Sequence, residues 1–213
     1  MRKELGQGTP MDKLGHLMLK MGEFNRAEEI YAPQLDSTDE KNWRRHFHLN
    51  HQLGYVYSEK GDYKAALLFY EKALKSELDF LPSDDPSLAS TYNNIAGVHQ
   101  DMGDYATALK FYQQALDVRE KYLPPKHPDL ATSYGNFGSI HSSMGDKLKA
   151  LEYYEKAREI RELSLPNNHP DKANSYNCIG SVYSSMDDHS NALSYFEKAL
   201  QIQKQAFPEN HPD

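Results

Sequence analysis

Along residues 86–124, apolar and polar positions alternate with the beat of two helices. Leu88, Tyr92, Ile95, Ala96 and His99 recur at spacings of three and four and form one helical face. Asp85 is predicted to cap this helix, with Pro86 in its first position, where a missing N–H costs nothing. Gly103 closes it, because glycine adopts left-handed φ without penalty, and Asp104 caps the next. Tyr105, Ala108, Leu109, Tyr112, Ala115 and Leu116 then mark a second helical face, which ends at Leu123-Pro124. The cycle restarts at His127-Pro128-Asp129. The unit is a pair of antiparallel helices joined by a short turn.

The same unit recurs every 42 residues: Pro86, Pro128, Pro170 and Pro212 keep that spacing, as do Gly54, Ala96, Gly138 and Gly180. Ala66, Ala108, Ala150 and Ala192 follow it, with Tyr70, Tyr112, Tyr154 and Phe196, and then Ala73, Ala115, Ala157 and Ala199. A fixed period of this length marks stacked supersecondary units. The predicted fold is all-α, a right-handed superhelical solenoid of antiparallel helix pairs, with repeats at 47–88, 89–130, 131–172 and 173–213. Residues 10–46 read as a divergent N-terminal repeat plus a connection. Leu14-Gly15, Gly22, Ala27 and Tyr31 lie within 10–35, and a loop is expected from Pro33 to Trp43. Small residues let neighbouring helices approach, and the aromatics fill the gaps they leave.

Charge narrows the partners. A net charge of −7 argues against nucleic acid or an anionic membrane as the main partner. No apolar run is long enough for a membrane span, and no secretory signal follows Met1. The single cysteine, Cys178, has no internal disulfide partner, so a reducing, cytoplasmic location is expected. Candidate chemistry is sparse. There is no phosphate loop, glycine fingerprint or serine elbow. His127, His169 and His211 belong to a recurring turn, and His99 and His141 replace Tyr57 and Tyr183 in register. His46, His48 and His51 cluster, but no carboxylate or cysteine at ligand spacing completes a metal site. Glu71, Glu155 and Glu197 read as solvated surface residues. Neither catalytic residues, nor a cofactor, nor a metal is expected, and the chain reads as a non-enzyme.

The run of a small residue, Gly-Asp-Tyr, and then alanine, aromatic and alanine resembles the tetratricopeptide pattern. The longer 42-residue form, with "HPDLATSY" opening a unit and "YNNIAGVH" in its first helix, resembles the repeats of kinesin light chains. The resemblance implies a scaffold or adaptor that binds an extended peptide of a partner protein in a concave groove lined by the first helices. By position it assigns His51 and Gln52, Asn93 and Asn94, Gly135 and Asn136, and Asn177 and Cys178 to that groove. Tyr55, Gly97, Ser139 and Ser181 follow one turn on. In kinesin light chains the second asparagine grips peptide backbone; Asn94 and Asn136 match it, whereas Gln52 and Cys178 depart. An amide offers donor and acceptor together, as a peptide bond requires. The lysine–arginine clamp of chaperone-binding relatives is missing, so a neutral or mildly basic peptide is expected. Similar arrays accompany signalling ATPases and ADP-ribosyltransferases, which makes an accessory array of a larger enzyme the alternative. The last amphipathic helix, read as Ala192 to Phe207, leaves Leu193, Phe196 and Leu200 uncovered. That exposure predicts either a fragment of a longer array or self-association through this end.

Overall fold

A computed structural model of the chain describes residues 9–39 and 41–206. Within them the structure is entirely helical: α1 (Pro10–Lys20), α2 (Phe24–Asp36), α3 (Trp43–Glu59), α4 (Tyr63–Leu78), α5 (Leu88–Asp101), α6 (Tyr105–Tyr122), α7 (Pro128–Ser143), α8 (Lys147–Ser164), α9 (Pro170–Ser185) and α10 (His189–Ala206). The helices fall into two compact units, Met1–Phe111 and Tyr112–Asp213, with the boundary inside α6.

The turns inside the helix pairs are built alike. Gly22, Gly61, Gly103 and Gly145 have φ between 72° and 78°. The aspartate after each of the last three, Asp62, Asp104 or Asp146, accepts a backbone N–H from Ala65, Thr107 or Lys149 at 3.1, 3.2 and 3.3 Å. At the fifth turn Asp187 takes the glycine position with φ 61°, a strained conformation for a residue with a side chain. Asp187→Gly is therefore expected to raise stability by about 0.5–1 kcal/mol, relief of strain outweighing the added chain entropy. Urea denaturation of the two proteins measures it, and a loss of stability would show that the Asp187 side chain supports the turn.

Two boundaries differ from the sequence reading, the start of α5 and the end of α2, while α7 and α9 start in the expected register. His127 and His169 cap α7 and α9 themselves, each Nδ1 accepting the N–H of Asp129 or Asp171 at 3.1 Å, with proline next in line. At the equivalent place in the first unit the helix starts later, at Leu88 rather than Pro86. Asp85 Oδ1 accepts from the backbone N–H and the hydroxyl of Ser87, and this local turn delays the helix. The loop expected from Pro33 is shorter than predicted, because α2 runs through Pro33 to Asp36. Pro33 costs that helix one N–H, but its own carbonyl still accepts from Ser37 at 3.1 Å.

Packing follows a repeated scheme of ring against notch. In the first unit Ala27 and Tyr31 of α2 pack on Leu49, Leu53 and Val56 of α3, and Ala66 and Tyr70 of α4 pack on Ile95 and Val98 of α5. A glycine of α1, α3, α7 and α9 makes room for the ring, and α5 carries Ala96 in that place. A Cβ on Gly54 would sit 2.7 Å from Tyr70, and one on Gly138 would sit 2.6 Å from Tyr154. A second ring pair recurs inside each of the last four helix pairs: Tyr57–Phe69, His99–Phe111, His141–Tyr153 and Tyr183–Tyr195 are all stacked. The histidines at 99 and 141 thus occupy an aromatic slot.

A buried polar bond also recurs, and the sequence reading missed it. The Thr91 hydroxyl donates to Glu77 Oε2 at 2.7 Å, and Arg119 and Arg161 donate to the hydroxyls of Ser133 and Ser175 at 2.6 and 2.8 Å. Positions 77, 119 and 161 keep the 42-residue period, so one site is filled by opposite charges. Glu77 is buried, and burial pushes its carboxyl pKa up. Glu155 is likewise not the solvated residue expected. It accepts from the Tyr195 hydroxyl at 2.8 Å and pairs with Arg158 at 2.6 Å, tying α8 to α10.

Candidate functional site

Each unit presents its first helices as a strip of polar side chains, and the two strips differ. In the first unit His51, Gln52 and Tyr55 lie on α3, and Asn93 and Asn94 on α5. The structure joins two of them directly: Asn94 Nδ2 lies 2.8 Å from His51 Nε2. The imidazole is wedged between Phe47 and Tyr70, at ring-centre distances of 5.7 and 5.5 Å. Burial, and then the neighbouring His48, lowers its pKa to about 4. At neutral pH Nε2 therefore carries a lone pair and accepts an N–H of the Asn94 amide. That bond fixes the amide's orientation rather than leaving it to rotate. Tyr55 is 40% exposed, and burial and Glu59 raise its hydroxyl pKa.

His48 points elsewhere. Its Nε2 lies 3.6 Å from Asp12 of α1, whose other oxygen pairs with Arg45 at 2.8 Å. Burial raises the Asp12 pKa, but hydrogen bonds from Arg45 and Thr9 outweigh it and hold the carboxyl below its usual range. The histidines of the "HFHLNH" run thus diverge. Among the described residues no three His, Cys, Asp or Glu side chains gather where a metal could sit.

In the second unit half-buried Gly135, Asn136 and Ser139 lie on α7, with Asn177, Cys178 and exposed Ser181 on α9. A cation borders this strip. Gly135 leaves a notch on α7, and Arg161 of α8 reaches it: its Nη2 would lie 4.0 Å from a Cβ at that position. The same guanidinium holds Ser175 of α9. The signal was legible only in combination, as an arginine in register with Arg119 and a mid-helix glycine where other repeats carry Asn93 and Asn177. The Cys178 thiol lies 3.9 Å from Asn174 Oδ1, and burial pushes its pKa up, which leaves little thiolate at neutral pH. Among the described residues no helix is long and apolar enough to cross a membrane.

With this geometry in hand, the likeness to known proteins is direct. The chain is similar in structure to BtubC (BKLC) from P. vanneervenii, at 24% identity and a TM-score of 0.80, covering 95% of this chain and 82% of that one. It is also similar to a putative kinesin light chain from Podosopora anserina with nearly identical TPR-like repeats. There the identity is 20% and the TM-score 0.71, with 93% of this chain and 96% of that one covered. These likenesses show the fold, an all-α repeat solenoid. No curated protein sequence matches the chain. The tetratricopeptide-repeat profiles match residues 87–163, 149–205 and 47–80, more than half of the sequence, and the chain belongs to the tetratricopeptide-repeat family.

Proposed function

We propose that this array, a protein-interaction scaffold as its family generally is, binds an extended peptide segment of a partner along the strips on its first helices. Asn94 and Asn136 are the backbone grips. Asn93, Asn177, His51, Gln52, Tyr55, Ser139 and Ser181 are the surrounding contacts. The observation that carries this reading is the orientation of the Asn94 amide by a neutral, buried His51. A pre-oriented amide binds a peptide bond with less entropy to lose than a rotating one. In the second unit Arg161 beneath the Gly135 notch favours an acidic peptide side chain over the neutral or mildly basic peptide expected from sequence.

The test is a peptide-display selection on the chain beside an Asn94→Ala/Asn136→Ala variant whose helicity and melting temperature match the parent. Peptides enriched by the parent are expected to lose at least tenfold in affinity for the variant, which corresponds to about 1.4 kcal/mol. Equal enrichment by both proteins would refute the role of the asparagines. An empty selection from the parent would refute peptide binding.

A further inference from the structure

The geometry points to a second copy of this chain as the occupant of the open α10 face, seated through its α1. The first unit builds the same junction twice. Ala27 and Tyr31 of α2 cover Leu53 and Val56 of α3, and Ala66 and Tyr70 of α4 cover Ile95 and Val98 of α5. At both junctions the four covered residues are no more than 1% exposed.

Each half of that junction recurs at opposite ends of the described chain, with its large apolar side chains exposed. Ala192 and Phe196 of α10 stand three 42-residue periods after Ala66 and Tyr70. Phe196 is 37% exposed, with Leu193 at 59% and Leu200 at 50% beside it. Leu14 and Leu17 of α1 stand 39 residues before Leu53 and Val56, the spacing that separates Gly22 from Gly61. They are 42% and 49% exposed. Seating α1 of one copy on α10 of another would set Ala192 and Phe196 against Leu14 and Leu17, as the interior does with their equivalents.

The flanking positions come in two versions. Across the α2–α3 junction Lys60 pairs with Glu28 at 2.6 Å. The register places Met21 of α1 where Lys60 stands and Leu193 of α10 where Glu28 stands, and both are well exposed. The α4–α5 junction carries Leu67 and Met102 in those two places, so the two ends together reproduce the apolar version of the junction that the interior also uses. An interface between two different faces of one chain is heterologous, and it propagates unless its rotation closes a ring.

The test is sedimentation velocity of the full chain over a wide concentration range, with Leu14→Glu and Leu193→Glu variants checked for unchanged helicity. The parent is expected to grow in mass with concentration, and each variant alone is expected to remain monomeric. An equimolar mixture of the variants should form one-to-one pairs, because Leu193→Glu keeps an intact α1 and Leu14→Glu an intact α10. A parent that stays monomeric throughout would overturn the proposal. Association unaffected by Leu14→Glu would also overturn it and indicate α10-to-α10 pairing. Should Leu193→Glu prove misfolded, Leu200→Glu on the same face replaces it with the same expected readings.

Discussion

Gly54→Ala is expected to destabilise the first unit by about 1–3 kcal/mol, the usual range for overpacking a core. The sign is informative, because helix propensity alone would favour the alanine by about 1 kcal/mol. What decides it is the Tyr70 ring, whose nearest atom would stand 2.7 Å from the new Cβ. That ring cannot withdraw, since it is 2% exposed and packs with Ala66 against Ile95 and Val98. Leucine at position 70 has no ring edge in the notch, so Tyr70→Leu should recover part of the loss in the double variant. A double-mutant cycle by urea denaturation measures this coupling. A neutral or stabilising Gly54→Ala would mean that the ring moves freely, and that the notch does not set the distance between α3 and α4.

Acid is expected to weaken the first unit through the buried imidazole of His51. His51 has a pKa of about 4 in the folded chain against 6.5 for an unperturbed imidazole. The unfolded chain therefore binds the proton first as pH falls. Stability is fully present above pH 6.5, falls through the interval below it, and has lost the whole His51 contribution once pH drops through about 4. The loss is on the order of 3 kcal/mol. Glu77 acts in the opposite sense, since its raised pKa makes the fold take up a proton as pH falls through the raised value. Comparison with His51→Gln removes that contribution, because Glu77 is present in both proteins. Urea midpoints across the interval should drop less steeply for His51→Gln than for the parent. Parallel lines would show that the imidazole titrates in the folded chain as it does in the unfolded one.

The helices and their turns were legible from local chemistry. Gly103 with Asp104, and the apolar spacing from Leu88 to His99, specify their elements within a few residues of sequence. Errors arose where side chains compete with backbone or reach across helices. Asp85 binds Ser87 instead of starting the helix, and α2 continues past Pro33. Glu155 looks solvated in its "YEKA" string because its partner, Tyr195, lies 40 residues away. The candidate strip was foreseeable by position on α3, α5, α7 and α9. Its electrostatics were not: neither the neutral His51 beneath Asn94 nor Arg161 beside Gly135 follows from spacing, since both depend on burial and three-dimensional reach.

The most direct test of the scaffold reading is hydrogen–deuterium exchange of the full chain with and without a peptide selected on it. Binding along the first helices predicts slowed exchange in α3, α5, α7 and α9, centred on the turns that carry Asn94 and Asn136, with α4, α8 and α10 unchanged. Protection confined to the second helices, or no change at saturating peptide, would contradict it.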